Sequence, residues 1–367
     1  MARVLDTARR AVRHARGDVR APRRQLLLTL LPIGDTLFAT PTIRALRRGH
    51  PRAHITALVY PSNAGILAGN PDIDSLILHP TGGDFPGWPA YLRFLWGLNH
   101  RHFDLLVQFG PAQWWLTQLI RPHRRRRVPF PFWRWFLPGG SRPWRWRHAV
   151  SSYATSLSPE ERLLVPPGPV LTLRERDRAW IASTFAGSHG PLIALHPGGE
   201  GFRGMKRWPL SRFLALAVAL QRRYPATIVV LGGKDELEHA ERLVAGVPGA
   251  LSLAGRLDLG QTLAVLERCM LFVGNDSAPL HMAAALGIPT VGIFGPTDPT
   301  NFRPRGVRVR IVRSDLACSP CFHFVGSRPV WAGSRCRVPS CLHAISTRAV
   351  LAAVADLVGE GTADGAE

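Results

Sequence analysis

The residues with the clearest chemical potential read GNDSAPLH over positions 274–281. They follow an apolar run typical of a buried strand and lead into a helical pattern. A helix starting at Ser277 would point its positive end and free N–H groups at an anion such as a diphosphate. Asp276 or Ser277 would be its N-cap, and His281 would lie one turn inside. A lone helical histidine is usually a core residue, but one behind an Asp-Ser cap at a strand end is well placed for an anion.

Two glycine-containing loops carry the only two lysines of the chain. Gly198 and Gly199 would let backbone N–H groups approach a phosphate, and Lys206 can reach the same anion. The second loop reads GGKDE, and its Lys234 or Asp235 could meet ribose or sugar hydroxyls. A plain loop and a helix-capping turn explain these glycines almost as well. The two loops alone therefore leave binding and purely structural roles open.

A third polar cluster, PIGDT at 32–36, follows the apolar run at 25–31. Its Asp35 could serve as a base, with Gly34 and Thr36 beside it. From the local sequence alone, however, an N-cap role for Asp35 on a helix starting at Thr36 is the simpler interpretation. Only the wider context favours chemistry at Asp35.

These clusters all follow predicted strands, which is where an α/β ligand site belongs. The predicted strands are 25–31, 54–60, 75–79, 103–109, 191–196, 227–231, 251–253, 271–273 and 290–294. The predicted helices are 36–48, 62–69, 87–99, 210–223, 235–245, 260–269, 277–286 and 347–358. This alternation indicates an α/β protein with two doubly wound parallel-sheet units and an active site between them.

The predicted domain limits follow from a linker near 155–175. They are a basic extension at 1–24, a first domain at 25–165 with an Arg/Trp-rich insert at 121–148, a second domain at 166–345, and a C-terminal helix and tail at 346–367. The final helix could pack back on the first domain, which the sequence does not decide.

The motifs resemble glycosyltransferase family 9, which contains the lipopolysaccharide heptosyltransferases. The resemblance runs from about Gln25 to Val358 and rests on IGDTLFATPTIRALR, HPGG with KRWP, VVLGGKDE, and GNDSAPLHMAAALGIPTVGIFGPTDP. It implies a GT-B fold, in which two Rossmann-like domains face each other across a cleft. It also implies an ADP-sugar donor in the second domain and a lipid A or core-saccharide acceptor on the side of the first.

The resemblance further assigns roles to single residues. Asp35 matches the family's proposed base, with Gly34 and Thr36 on the acceptor side. The donor-binding residues would be Gly198, Gly199, Lys206, Lys234, Leu257, Asp276, Ser277, Ala278 and His281. Leu257 would fall where the backbone meets the adenine. Lys234 departs from a glutamate that contacts the heptose hydroxyls in some members, so the sugar itself stays open.

The implied reaction is a single displacement with inversion and without a catalytic metal. The acceptor hydroxyl, deprotonated by Asp35, attacks the anomeric carbon on the face opposite the diphosphate through an oxocarbenium-like state. Negative charge then grows on the leaving diphosphate. Lys206, His281 and the helix N-terminus would stabilise that charge.

The formal net charge of +21 calls for a polyanionic partner. Residues 1–24 carry eight arginines, and residues 121–148 alternate arginine with tryptophan. Indoles and arginines together suit a lipid headgroup layer, although such mixtures also bind single-stranded nucleic acid. Residues 1–24 could equally be a solvated tail. No apolar run reaches the roughly 18 residues of a membrane span, so a cytoplasmic protein at the inner face of the plasma membrane is expected.

Four of the five cysteines cluster near the end of the second domain: Cys318, Cys321, Cys336 and Cys341. The first pair has zinc-type spacing and the second gap is longer than usual, so the pattern allows a structural zinc ion but favours free thiols.

Three alternatives stay open at this stage. The enzyme could use a different nucleotide sugar, or the chain could be an inactive scaffold. It could also be a basic nucleic-acid-binding protein, but its basic residues concentrate in two segments outside the α/β repeats and it has no recognised nucleic-acid-binding module.

Overall fold

A computed structural model describes residues 22–80, 87–110, 114–127, 148–186, 190–199, 204–325, 328–331, 336 and 338–359. The chain divides into two compact units, Met1–Thr172 and Leu173–Glu367. Within the described residues, no helix combines the length and the apolarity that crossing a bilayer requires.

The first unit is built on a five-stranded parallel sheet with the order β3-β2-β1-β4-β5. Its strands are β1 (Arg24–Thr29), β2 (His54–Val59), β3 (Ser75–Leu78), β4 (Leu105–Gln108) and β5 (Arg124–Arg127). The two innermost pairs align Leu26 with Thr56 and with Leu106. Every residue of β1 after Arg24 is buried, as expected for a parallel strand that is covered on both faces.

The helices of the first unit are α1 (Ile33–Gly49), α2 (Ala64–Leu67), α3 (Trp88–Asn99), α4 (Trp114–Leu119), α5 (Ala149–Tyr153) and α6 (Pro159–Arg162). Helix α3 packs Tyr91, Leu95 and Leu98 into a core cluster with Leu26 and Leu106 of the sheet.

Strand β5 corrects the prediction that residues 121–148 form an insert outside the α/β pattern. Residues 124–127 are all arginine, yet they pair in parallel with β4 at the edge of the sheet. Backbone pairing does not depend on the side chains, and a charged edge strand is a common solution in natural sheets. Arg126 also forms an ion pair with the buried Glu161. The remaining insert residues up to 147, and most of the basic extension at 1–24, lie outside the described residues.

The second unit has a six-stranded parallel sheet with the order β11-β10-β9-β6-β7-β8. Its strands are β6 (Leu192–His196), β7 (Thr227–Val230), β8 (Leu251–Ser252), β9 (Cys269–Asn275), β10 (Thr290–Phe294) and β11 (Val309–Arg313). A separate antiparallel hairpin joins β12 (Phe322–Val325) to β13 (Arg328–Trp331).

The helices of the second unit are α7 (Glu175–Thr184), α8 (Leu210–Arg223), α9 (Leu237–Val244), α10 (Leu259–Glu267), α11 (Ala278–Ala285), α12 (Pro299–Phe302), α13 (Ser340–His343) and α14 (Thr347–Val358). The final helix α14 packs within this unit, because Val350, Val354 and Leu357 belong to the core cluster that contains Trp208 and Ile193. The structure therefore assigns α14 to the second unit.

Candidate functional site

Three predicted residues meet at the carboxyl end of β9. The Lys206 ammonium lies 2.8 Å from Oδ2 of Asp276, and Nε2 of His281 lies 3.5 Å from Oδ1 of the same carboxylate. Asp276 immediately follows β9, whereas His281 lies in the first half of α11. The strand end and the helix start thus place one buried carboxylate between two side chains that can carry positive charge.

Asp276 is a buried anion whose charge is balanced locally. Burial alone would raise the pKa of its carboxyl group, but the charge of Lys206 and the hydrogen bond from His281 outweigh burial and hold the pKa below its usual range. A carboxylate at this position would repel a diphosphate directly. Its contribution is to hold Lys206 and His281 in place beside the N-terminus of α11.

Ser277 is the N-cap residue of α11, but its side chain makes no capping hydrogen bond. Its Oγ lies 2.9 Å from Nδ1 of His196, and Nε2 of the same imidazole lies 3.1 Å from Oε2 of Glu236. His196 and Glu236 are both buried. A serine, a histidine and a glutamate therefore form a continuous hydrogen-bonded chain that ends at the start of α11.

Glu236 also fixes both glycine-containing loops. Its carboxylate accepts hydrogen bonds from the backbone N–H groups of Gly199 and Gly233. A Cβ atom built on Gly198 would overlap this carboxylate, so the close approach requires glycine. Burial would raise the pKa of Glu236, but the hydrogen bond and charge of His196 and the two backbone N–H groups lower it to about 2.

Asn275 ties the loop after β6 to the loop that carries Lys206. Its side-chain amide donates to the carbonyl oxygens of Pro197 and Gly198 at 2.9 and 2.7 Å. Its Oδ1 accepts the backbone N–H of Trp208 at 3.1 Å. The fully buried Trp208 anchors this segment by donating its indole N–H to the Ile345 carbonyl at 3.0 Å.

In the first unit, helix α1 begins at Ile33, and Pro32 occupies the N-cap position. Asp35 therefore lies inside the first turn, and the N-cap interpretation of Asp35 is wrong. Its Oδ1 accepts a 2.7 Å hydrogen bond from the hydroxyl of Tyr153. The half-buried Gly34 lies beside it, and the buried Thr36 donates its hydroxyl to the Pro32 carbonyl at 3.0 Å.

The other predicted donor residues lie on neighbouring loops of the second unit. Lys234 and Asp235 are exposed in the loop after β7, and Leu257 is half-buried in the loop after β8. These loops touch at Gly255, whose backbone N–H donates to the Gly232 carbonyl at 3.0 Å. Gly255 has φ +67°, and a Cβ there would lie 3.2 Å from Cα of Lys234. Ala278 is the first residue of α11.

Four cysteines lie near one another, since burial first and then the neighbouring Cys318 and Cys336 raise the pKa of the Cys321 and Cys341 thiols. All five are free thiols, with Cys318 and Cys336 exposed, Cys321 half-buried and Cys269 and Cys341 buried. Across the described part of the chain, no three His, Cys, Asp or Glu side chains are arranged to hold a metal ion. Structural zinc stays a prediction that this geometry does not support.

The sequence analysis did not identify four residues of the candidate site: Tyr153, His196, Glu236 and Asn275. The last three lie inside the quoted motifs, so their position after strand ends was an available signal. Glu236 directly follows Gly-Gly-Lys-Asp, where a carboxylate can accept loop N–H groups. Tyr153 had no such signal, because it lies 118 positions from Asp35.

Comparison with known proteins places these features in context. The family described as glycosyltransferase family 9 (heptosyltransferase) matches residues 133–331, which is more than half of the chain. Lipopolysaccharide heptosyltransferase 3 of Escherichia coli is 27% identical over 302 residues, a match that covers 74% of this chain and 83% of that protein.

Solved structures agree on the fold. A glycosyl transferase family 9 protein from Veillonella parvula DSM 2008 has a TM-score of 0.72 at 23% identity, covering 92% of this chain and 98% of its own. ADP-heptose lps heptosyltransferase II of E. coli has a TM-score of 0.70 at 20% identity, covering 92% of this chain and 99% of its own. The fold is GT-B, with two parallel-sheet α/β domains, as predicted.

Proposed function

The chain belongs to glycosyltransferase family 9, and from that premise we propose that it transfers a heptose from an ADP-heptose donor to a lipopolysaccharide core or another lipid-linked glycan. The printed name of the E. coli structure, ADP-heptose lps heptosyltransferase II, supports this donor. The transfer reaction would take place at the inner face of the plasma membrane, where such acceptors are anchored.

The observation that carries the proposal is the cluster of Lys206, Asp276 and His281 at the N-terminus of α11. A diphosphate leaving group gains negative charge as the glycosidic bond breaks. Lys206, His281 and the positive end of α11 offer charge and hydrogen bonds where that charge develops, in a site that is already ordered by Asp276. These protein groups would supply the stabilisation without a catalytic metal.

Asp35 is the proposed base. It would take the proton of the acceptor hydroxyl while the acceptor oxygen attacks the anomeric carbon from the face opposite the diphosphate, which inverts the configuration. The bond to the anomeric carbon forms as the bond to the diphosphate oxygen breaks, and ADP leaves with the bonding electron pair. Gly34 and Thr36 would line the acceptor side of this base.

The donor contacts follow from the loop positions. Gly198 and Gly199 would allow the backbone to approach the phosphates, Ser277 and Ala278 begin the helix that receives them, and Leu257 would lie near the adenine. Exposed Lys234 would face the sugar hydroxyls. Because Lys234 replaces a carboxylate found in some members, a different sugar on the same nucleotide is the main alternative.

Calorimetric titration of ADP, UDP and GDP sugars into the full chain tests the donor assignment. We expect selective binding of ADP-heptose, weakened about tenfold to one-hundredfold by Lys206→Ala, since a hydrogen bond to a charged group contributes about 1.5–3 kcal/mol. Thermal unfolding of the same samples separates lost binding from lost folding. Failure of the folded wild type to bind any nucleotide sugar would overturn the enzyme proposal.

Lys234→Ala is the matched comparison, because it removes the other lysine. We expect it to leave binding of ADP itself unchanged and to weaken binding of ADP-heptose only. Equal losses of affinity for ADP and for ADP-heptose would indicate that Lys234 contacts the nucleotide rather than the sugar.

A further inference from the structure

Helix α3 of the first unit carries a continuous exposed apolar stripe. Trp88, Leu92 and Trp96 are 68%, 58% and 65% exposed. They are spaced four residues apart and so lie along one face, over a length of about 12 Å. The adjoining face of the same helix buries Tyr91 and Leu95 in the core. The apolar surface of helix α3 therefore continues from the core into solvent.

This stripe is unusual within the molecule. Among the helix side chains whose burial the structure describes, no other helix has more than one exposed large apolar residue. Scattered exposed leucines are ordinary in soluble proteins, but a contiguous group of large apolar side chains marks an interaction surface. Trp96 is also held by its neighbour, since its ring centroid lies 3.7 Å from that of His100.

Exposed arginines surround the C-terminal end of α3. Asn99 accepts the backbone N–H of Arg121 at 2.9 Å and donates to the Leu119 carbonyl at 3.0 Å, which holds the start of the β5 segment against the helix. The Arg24 guanidinium donates to the Arg101 carbonyl at 2.8 Å at the same end. The exposed arginines of this region are Arg93, Arg101, Arg121, Arg124 and Arg125.

Acidic charge is nearly absent there. Between residues 87 and 127 the sequence has seven arginines and a single acidic residue, Asp104. Oδ2 of Asp104 already accepts the backbone N–H groups of Arg23 and Arg24, each at 2.8 Å. The field around the stripe is therefore positive and complements an anionic surface.

We propose that the stripe of Trp88, Leu92 and Trp96, with its neighbouring arginines, docks on an anionic phospholipid bilayer. Indole rings prefer the headgroup layer, leucine enters the acyl boundary, and arginines pair with lipid phosphates. A single nucleic-acid strand would be bound by stacking on flat rings, but Leu92 in the middle of the stripe offers no ring. The proposal deepens the proposed function, since it rests on an acceptor that is anchored in a membrane.

The test is co-sedimentation of the full chain with vesicles of phosphatidylcholine alone or mixed with phosphatidylglycerol. We expect binding to the anionic vesicles that falls about tenfold or more in a Trp88→Ser, Leu92→Ser, Trp96→Ser variant, because this variant removes the apolar area that enters the bilayer. A Leu163→Ser, Leu251→Ser, Val307→Ser variant, which removes three separate exposed apolar residues, should bind within about twofold of wild type.

Two results would overturn the docking proposal. One is unchanged vesicle binding by the stripe variant, including the case in which this variant loses binding to an RNA or DNA strand instead. The other is equal binding of the wild type to neutral and to anionic vesicles. Titration of ADP-heptose into the same variant keeps the two proposals apart. Normal nucleotide-sugar binding with unchanged vesicle binding would refute the docking surface alone, whereas absent nucleotide-sugar binding by wild type would refute the proposed activity.

Discussion

The hydroxyl of Tyr153 donates a 2.7 Å hydrogen bond to Oδ1 of Asp35. Burial, the negative charge of Asp35 and this hydrogen bond, in that order, raise the pKa of Tyr153 well above its ordinary value. The phenol thus stays protonated and remains a donor. Its ring packs edge-on against Phe109 at 6.0 Å, which fixes the direction of the hydroxyl.

Tyr153→Phe should therefore impair the proposed base without unfolding the protein. The hydrogen bond favours the ionised carboxylate, so its loss should move the acidic limb of the kcat/KM profile to higher pH. We expect kcat to fall about tenfold, because the carboxylate loses the contact that orients it. Tyr91→Phe is the control, because Tyr91 is equally buried but bonds His79 instead. Identical pH profiles for wild type and Tyr153→Phe would contradict this role.

Ser277 should bind the donor through its hydroxyl group. The Glu236 carboxylate only accepts hydrogen bonds, so Nε2 of His196 carries a hydrogen and the buried ring is held in place. Oγ of Ser277 lies 2.9 Å from Nδ1 of this ring and 3.1 Å from the Asn275 carbonyl oxygen, and these two contacts orient the hydroxyl at the start of α11.

Calorimetry of ADP-heptose binding tests this contact. Ser277→Ala should weaken binding about threefold to tenfold, since a neutral hydrogen bond contributes about 0.5–1.5 kcal/mol. Equal affinities of wild type and Ser277→Ala would show that the hydroxyl does not contact the donor.

Gly198→Ala should disrupt the donor loops. The new methyl group would overlap the Glu236 carboxylate and displace it from His196 and Gly199. We expect a loss of about 1–3 kcal/mol in unfolding free energy, together with weakened nucleotide binding. Gly97→Ala in α3 is the control, since a Cβ there meets nothing within 4 Å. That change should be neutral or stabilising by up to about 1 kcal/mol.

Glu161 should control the acid stability of the first unit. Burial would raise the pKa of its carboxyl group, but bonds and charges from His50 and Arg126 and the N–H of Ser158 lower it from 4.5 to about 2. A lowered pKa means that the carboxylate stabilises the folded state above about pH 4.5 and that this contribution is lost as pH falls toward 2. Glu161→Gln should cost on the order of 3 kcal/mol at neutral pH and flatten that acid dependence.

Denaturant unfolding at several pH values compares this variant with Glu160→Gln, the exposed neighbour. The control should change stability by less than about 0.5 kcal/mol. If the unfolding free energies of wild type and Glu161→Gln fell in parallel as the pH is lowered, other carboxyl groups would determine the acid stability.

Much of the fold followed from periodicity. Helices Leu210–Arg223 and Thr347–Val358 were predicted with the bounds that the structure has, because each begins and ends at a change from apolar to polar pattern. The arginine strand β5 was missed because its side chains carry no strand signal and its pairing comes from the neighbouring β4. Strand β11, which reads VRIVR, and helix α7 were also missed.

The candidate site was also predicted only in part: residues with a local sequence signal were found, and residues brought in by packing were not. Lys206, Asp276 and His281 were predicted together because each lies in a loop or a helix start that follows a strand, and parallel strands bring such segments to one edge. The partners of Asp35 and His196 depend on packing between distant segments. No local pattern reports that Tyr153 meets Asp35 or that Glu236 meets His196.

The arginine edge strand β5 has a consequence for how copies of this protein behave together. The outer side of β5 offers backbone N–H and C=O groups that could recruit a strand from another molecule. Consecutive guanidinium groups along that edge would meet the same positive row on a second copy, so edge-to-edge pairing is electrostatically opposed. Within the described residues, the sheet therefore ends in a strand whose charge opposes stacking of copies into fibres.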